Sequence, residues 1–181
     1  MRIAYFDCFS GASGDMILAS MIDAGLSPQR LSQELKKVSM PGIRLNVRKI
    51  VRGGISATQV KVAGRKEERH HRNLNEMATI VEKSHLDSEL KKESIKVFQR
   101  IASVEAKIHQ KRMEEIHFHE LGGFDSVVDI VGSIWGLRQR GIDDLYVSKV
   151  NVGTGFVKCE HGILPVPAPA TLALMEGKPI Y

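Results

Sequence analysis

The sequence predicts an α+β fold in which a small mixed sheet is covered by helices. Short runs such as RIAYF and LYVSKVNVG are rich in β-branched and aromatic residues, which is typical of strands. Longer segments between them repeat apolar residues at helical spacing. The composition, with 43% hydrophobic and 26% charged residues, is that of an ordinary soluble globular protein.

The predicted elements begin with a buried strand over Arg2–Phe6 and a helix over Asp15–Ala24. The fixed φ of Pro28 suits the first turn of a helix, so a second helix is expected from Pro28 to about Val38. Residue types alternate on both sides of Gly53-Gly54, which predicts a β-hairpin. The order of the first elements is therefore β-α-α-β-β.

Helices dominate the second part of the predicted fold. The polar segment GRKEERHHRN is expected to be a loop, and helices are predicted over Leu74–Lys83 and Ser88–His109. Another helix, Ser126–Arg140, carries an apolar stripe on one face. The strand LYVSKVNVG follows it, and two prolines then open a short helix that reaches Met175.

The length of 181 residues fits a single domain, with 1–63 and 64–181 as potential subdomains. No apolar run approaches the roughly 18–20 residues that a membrane span needs, and the start of the chain does not have the pattern of a signal peptide. We therefore expect a cytoplasmic protein that does not enter a membrane. Cys8 and Cys159 are the two cysteines, too few for a disulfide framework.

The net charge of +5 is unevenly distributed along the chain. Between Arg44 and Arg112 there are 17 Lys and Arg against 8 Asp and Glu, whereas the rest of the chain has 9 against 13. This basic segment could meet nucleic acid, a membrane surface or a small phosphorylated ligand, or could form solvated helix faces. Phe98 is its single aromatic residue, which does not favour nucleic-acid binding.

Metal-ligating residue types are concentrated in the stretch IHFHELGGFDSVVD. In an extended segment His117 and His119 share a face while Phe118 faces the other way. Asp125 and Asp129 share a face if a helix begins near Asp125. With Glu120 they form a nitrogen and oxygen donor set that suits divalent Ni, Zn, Mn or Fe. Alternatively, Asp125 caps the helix, Glu120 is solvated and the histidines are partly buried polar residues.

Two smaller clusters also contain metal-ligating types. Cys159 and His161 are two residues apart and could form a soft ligand pair, or a nucleophile with its base. They are equally well explained as a small buried cysteine and a histidine in a turn. His70 and His71 lie in a basic loop beside Arg69 and Arg72; they could bind metal or, with the arginines, clamp a phosphate, or the loop could be simply solvated.

The glycine-rich turn FDCFSGASGD leads from the first strand into the first helix. Backbone N–H groups in such a turn can cradle an anion at the helix N-terminus. Its aspartates would repel a bare phosphate, so a bound phosphate would need Mg²⁺ or another cation as a bridge. Helix capping is the alternative explanation. The candidate binding residues are Asp7, Ser10, Gly11, Ser13, Gly14 and Asp15.

Taken in order, the motifs FDCFSGASGDMILASMIDAG, RHHRNL, HFHELGGFDSVVDIVG and VNVGTGFVKCEHGILPVPAPATLALMEGKPI resemble the LarC-type nickel-insertion proteins. The resemblance implies a metallochelatase of the lyase class. Such a protein inserts Ni²⁺ into pyridinium-3,5-bisthiocarboxylic acid mononucleotide with the help of CTP, which forms the nickel-pincer cofactor of lactate racemase. The family's CTP-binding region, with its Mg²⁺ or Mn²⁺, belongs to a C-terminal half, so this chain resembles the N-terminal half and is expected to be incomplete alone.

Given this resemblance, our first hypothesis is that His117, His119, Glu120, Asp125 and Asp129 hold the Ni²⁺, with Cys159 and His161 as further candidate ligands. Glu120 and His161 are both candidates for the base that takes the proton from the pyridinium ring as the nickel–carbon bond forms. The anionic mononucleotide would lie in the Ser10–Gly14 turn. Expected partners are the C-terminal half and further copies of the chain. Alternative functions are a metal-dependent phosphohydrolase and a non-catalytic metal-binding or interaction module.

Overall fold

A computed structural model describes residues 1–40, 42–63, 72–118 and 121–181. Across these residues the chain forms six α-helices and six strands, which confirms the predicted α+β class. The helices are α1 (Gly14–Asp23), α2 (Pro28–Leu35), α3 (Leu74–Glu82), α4 (Ser88–His109), α5 (Phe124–Gln139) and α6 (Pro169–Leu174). The strands are β1 (Ile3–Phe6), β2 (Arg44–Arg52), β3 (Ile55–Ala63), β4 (Asp144–Val147), β5 (Phe156–Cys159) and β6 (Gly162–Pro165).

The strands that we expected in one mixed sheet form three two-stranded sheets within the described ranges. β1 and β4 pair in parallel, with Ile3 opposite Asp144 and Phe6 opposite Val147. The predicted hairpin is present as the antiparallel pair β2–β3, and a second hairpin, β5–β6, closes through a two-residue turn. Both parallel and antiparallel pairing are therefore present, in separate sheets.

Several element boundaries differ from the prediction for local reasons. α2 ends at Leu35, because Val38 N–H donates to Leu35 O and so tightens the last turn. α5 begins at Phe124, after Gly123 in an extended N-cap conformation. The strand expected over LYVSKVNVG is regular through Val147.

A single hydrophobic cluster joins the first five helices and the inner face of the β2–β3 hairpin. Its fully buried side chains include Leu18 of α1, Phe98 of α4 and Val131 of α5. α5 approaches α1 closely because it has a glycine at the contact: a Cβ at Gly136 would lie 2.9 Å from Met21 Cε. This packing fixes the N-terminus of α1 beside the first turns of α5.

Side-chain caps define where the central helices begin. Asn73 and Glu76 form a capping box at α3, in which Glu76 N–H donates to Asn73 Oδ1 over 2.9 Å and Asn73 N–H donates to Glu76 Oε2 over 2.7 Å. Asp87 accepts from Leu90 N–H at the start of α4. In the part of the chain that the structure covers, every helix is too short or too polar to cross a bilayer.

Candidate metal and substrate site

The glycine-rich turn after β1 is held in place by the segment that follows β4. Cys8 N–H donates to Ser148 Oγ over 2.8 Å, and Asn151 N–H donates to Cys8 O over 3.1 Å. Asn151 Nδ2 also donates to Phe9 O over 3.0 Å. Gly11 has a φ of +80° and donates to Cys8 O, a conformation that favours glycine. The turn is thus a defined structure that ends at the N-terminus of α1.

Asp15 occupies the N-terminus of α1. Ser13 is the N-cap residue, but its side chain accepts no capping hydrogen bond and instead donates to the Asp15 carboxylate. Met16 N–H donates to Asp15 Oδ1 over 2.9 Å. A carboxylate in the first turn interacts favourably with the positive end of the helix dipole. The turn therefore already holds a negative charge where we expected a cradle for anions.

Asp129 of α5 packs against the same end of α1. A Cβ at Gly14 would collide with Cβ, Cγ and Oδ2 of Asp129, so the glycine is what allows this approach. Asp129 Oδ1 is buried and has no hydrogen-bond partner within the described ranges. Burial, with smaller contributions from the charges of Asp15 and Asp125, raises the pKa of the Asp129 carboxyl to about 6.

The predicted pair Asp125 and Asp129 is therefore joined by Asp15, which we had assigned to anion binding. Asp125 lies in the first turn of α5, is exposed, and accepts from Ser126 N–H over 2.9 Å. Three carboxylates near two helix N-termini form an acidic site that would attract a divalent cation and repel a bare phosphate. We call Asp15, Asp125 and Asp129 the aspartate cluster.

His117 and Phe118 lie in an extended segment beside the start of α3. Asn73 and His117 form an isolated antiparallel bridge, and Phe118 N–H donates to Arg72 O over 2.9 Å. Phe118 is buried, as the alternation of the sequence predicted. Its ring centroid lies 6.3 Å from that of Phe98. His117 is exposed, so its imidazole lies at the protein surface.

Arg72 supports the turn that leads into α5. Its Nη1 donates to Gly122 O over 2.7 Å, and its guanidinium lies 4.2 Å from the centroid of the Phe124 ring. These contacts link the segment before α3 to the start of the helix that carries Asp125 and Asp129. Arg72 therefore positions part of the site, whereas its assignment to a phosphate stays a prediction.

A histidine that sequence reasoning missed lies beside His161. The rings of His109, the last residue of α4, and His161, in the turn between β5 and β6, have centroids 5.0 Å apart and are inclined by 41°. Glu105 Oε2 lies 3.5 Å from His109 Nε2, one helical turn away. We call His109 and His161 the histidine pair. Only the i,i+4 spacing of Glu105 and His109 could have suggested part of it from sequence.

The ring separation of the histidine pair is compatible with a shared metal ion, as it is with a direct contact between the two rings. For metal–nitrogen bonds of about 2.1 Å, two imidazole centroids on one ion are roughly 4.5–5.3 Å apart at ligand angles between about 90° and 110°. The carboxylate of Glu105 is placed to orient His109, an arrangement common around metal-bound histidines. Cys159 ends β5 and pairs with Gly162 across the same turn.

The described residues contain no ready-made metal site of three or more His, Cys, Asp or Glu side chains. Five predicted site residues lie outside the described residues: Arg69, His70, His71, His119 and Glu120. Asp7 and Ser10 are exposed in the turn after β1. The structure thus gives two partial donor sets, the aspartate cluster and the histidine pair.

A cleft of about 460 Å³ opens elsewhere, between the end of α2 and the start of β2. Its lining includes Leu35, Val38, Met40 and Leu45, and contains no acidic residue, histidine or cysteine. The chemistry-bearing side chains are therefore not in this cleft.

A family profile described as nickel insertion protein matches residues 4–180. A Desulfitobacterium hafniense relative named pyridinium-3,5-bisthiocarboxylic acid mononucleotide nickel insertion protein is 45% identical over 181 residues, which are 100% of this chain and 45% of the relative. An Acetivibrio thermocellus relative with the same name is 43% identical over 184 residues, which cover 97% of this chain and 45% of the relative. The chain thus spans about half the length of these curated relatives. No solved structure matched it.

Proposed function

Because the chain belongs to the nickel insertion protein family, we propose that it binds Ni²⁺ and delivers it to pyridinium-3,5-bisthiocarboxylic acid mononucleotide. The two relatives named for this substrate support the proposal. We further propose that the chain is the N-terminal half of a CTP-dependent metallochelatase, which makes the nickel-pincer cofactor of lactate racemase together with a C-terminal half that binds CTP and Mg²⁺ or Mn²⁺. The activity of the whole protein would then require both halves.

The observation that carries the proposal is the buried, unpartnered carboxylate oxygen of Asp129 beside two further carboxylates, within the described residues. An unpartnered buried charge is costly, and a divalent cation would offset both its desolvation and the repulsion within the aspartate cluster. Ni²⁺ accepts oxygen and nitrogen donors. The aspartate cluster is therefore one place where cargo nickel would be held, with His117 and His119 as nitrogen donors.

The histidine pair supplies a second donor set for the same cargo. Imidazoles bind Ni²⁺ well, whereas thiolates such as that of Cys159 suit softer metals and exchange with sulfur ligands. The substrate receives nickel on two sulfur atoms and a ring carbon, so the ion must pass from oxygen and nitrogen donors to sulfur. Glu120, or His161 once it has released the ion to the substrate sulfur atoms, would accept the proton that the ring carbon loses as the nickel–carbon bond forms.

The basic segment between Arg44 and Arg112 favours an anionic substrate electrostatically, with 17 positive against 8 negative side chains. The aspartate cluster argues against a bare phosphate in the turn before α1. In this proposal the mononucleotide approaches with its charge towards the basic segment, while the turn and Asp15 face the cation. Arg72, together with Arg69, His70 and His71, stays a candidate for contact with the substrate phosphate.

Calorimetric titration of the chain with Ni²⁺, Zn²⁺ and Mn²⁺ tests the proposal. We expect Ni²⁺ to bind with a Kd of about 10 µM or tighter, at least about tenfold weaker binding for Asp129→Asn, and a similar loss for His109→Ala with His161→Ala. His85→Ala is the matched control, because His85 is an exposed histidine outside both donor sets. The proposal fails if Ni²⁺ does not bind, or if the control and the site variants lose affinity equally.

A further inference from the structure

We propose that the exposed face of the β1–β4 sheet is the docking surface for the region that makes up the rest of the relatives' length. We call this surface the tyrosine face and define it by Ile3, Tyr5 and Tyr146. The partner is therefore a further part of the same protein, whether joined in one polypeptide or produced as a separate chain. The inference rests on the proposed cooperation with a second half of the protein, but it does not depend on where the metal binds.

The pairing of β1 with β4 is the first observation that carries this inference. Parallel sheets in proteins almost always have both faces covered. Here the register places Tyr5 directly beside Tyr146, and Ile3 lies on the same face two residues before Tyr5. These side chains are 49% (Ile3), 66% (Tyr5) and 55% (Tyr146) exposed. A parallel sheet with an open aromatic face thus lacks the cover that such sheets normally have.

The opposite face of the same sheet is also incompletely covered. Leu145 and Val147 of β4 point to that side and are both exposed. Ala4 and Phe6 of β1 share this side and are half-buried. The packing of α1 to α5 therefore protects the sheet only in part, and burying these apolar side chains on association would be favourable.

The sheet also has unpaired edges within the described ranges. β1 and β4 each pair with one strand, which leaves an outer row of backbone N–H and C=O groups on each. Beyond β4, Val150 already forms a parallel bridge with Ile180, and Val150 N–H donates to Pro179 O over 3.0 Å. An added strand would extend this ladder by backbone hydrogen bonds, while the side chains of the tyrosine face select the partner.

The length of the relatives supports this choice of occupant. This chain corresponds to 45% of the two named relatives, so a region slightly longer than the chain itself belongs to the same protein there. A covalently linked region has a high effective concentration and needs only a modest intrinsic affinity. Aromatic residues such as tyrosine are enriched in the cores of protein interfaces, and Asp144, beside Ile3, adds an exposed charge at the edge of this face. A second copy of the chain is the competing occupant that the experiment must distinguish.

The test measures binding of the chain to the part of the Desulfitobacterium hafniense relative that lies outside the matched region, produced as a separate polypeptide. Calorimetry without nickel is compared for the chain, for Tyr5→Ser with Tyr146→Ser, and for Val51→Ser with Ile55→Ser. The last variant is the matched control, because Val51 and Ile55 are 70% and 73% exposed on the β2–β3 hairpin. Circular dichroism and Tm establish that all three proteins, and the polypeptide from the relative, are folded before binding is measured.

We expect a Kd of about 10 µM or tighter for the chain, at least about 30-fold weaker binding for the tyrosine variant, and a change of no more than about threefold for the control. Absence of binding at about 100 µM, or equal binding by the tyrosine variant, would overturn the proposal. Analytical sedimentation of each protein alone measures whether the chain forms dimers. Dimers of the chain that the tyrosine variant abolishes would also overturn it, in favour of a second copy. Because no metal is present, these outcomes are separate from success or failure of nickel binding.

Discussion

Replacing Asp129 with asparagine should stabilise the protein at neutral pH. Asparagine has almost the same shape but no charge, so it removes the cost of a buried carboxylate that lies near Asp15 and Asp125. The pKa of Asp129 is raised from 3.8 to about 6. The folded protein therefore loses stability as pH rises from 3.8 through about 6, because the native state holds its proton more tightly than the unfolded chain does.

The size of the effect follows from the same shift. Each pKa unit corresponds to about 1.36 kcal/mol, so the full shift would correspond to roughly 3 kcal/mol. The side chain is only partly buried, and solvent screening reduces this to about 1–2 kcal/mol. We expect Asp129→Asn to unfold with a free energy about 1–2 kcal/mol higher than the native protein at pH 7.5, and with nearly the same free energy at pH 3.5.

Urea denaturation followed by the fluorescence of Trp135 measures this difference, because Trp135 is the single tryptophan and is buried in α5. Asp144→Asn serves as a control at an exposed aspartate of β4 and should change stability by less than about 0.5 kcal/mol at either pH. An Asp129→Asn protein that is no more stable than native at pH 7.5 would refute the electrostatic reasoning. If Asp129→Asn is more stable and also binds Ni²⁺ more weakly, the lower stability of the native protein at neutral pH is linked to its metal binding.

Three further substitutions test the packing around the site. Gly14→Ala should lower the free energy of unfolding by about 1–3 kcal/mol in urea, since its Cβ would collide with Asp129; unchanged stability would show that Asp129 moves away freely. Phe98→Ala should lower the free energy of unfolding by about 3–5 kcal/mol and also lower Tm, because the ring is fully buried against Phe118. A decrease of less than about 1 kcal/mol would contradict the packing described. Asn73→Ala should lower the free energy of unfolding by about 0.5–2 kcal/mol, because it removes the α3 capping box. Asn75→Ala, on the exposed side of the same helix turn, is the control. Equal effects of the two substitutions would argue against the capping box.

Local patterns in the sequence predicted most elements because each pattern has a local physical cause, although β1, which we expected to be buried, is exposed on one face. The hairpin followed from two adjacent glycines, both with positive φ in the structure, and the buried Phe118 followed from strand alternation. α4 was predicted with the bounds it has, Ser88–His109. The parallel partnership of β1 with β4 has no such local cause, since it depends on how the helices between them pack.

The composition of the candidate site was less predictable for the same reason. The i,i+4 spacing of Asp125 and Asp129 indicated a shared helix face, but Asp15 joins them only because α1 and α5 pack closely near Gly14. His109 has no neighbour in sequence that suggests His161, and a hairpin turn from the end of the chain brings the two rings together. Residues brought together by tertiary packing leave no periodic pattern in the sequence.

The parallel pair β1–β4 also has a consequence for synthesis on the ribosome. Ile3 pairs with Asp144, and Arg2 N–H donates to the side chain of Asp143 across a separation of 141 residues. At a translation rate of about 5–20 residues per second, the ribosome needs roughly 7–28 s after synthesis of β1 to reach β4. Throughout that interval an apolar strand with two open edges is exposed to other nascent chains. The pairing that completes the turn beside α1 therefore has to wait for the synthesis of β4, and until then a chaperone could protect β1.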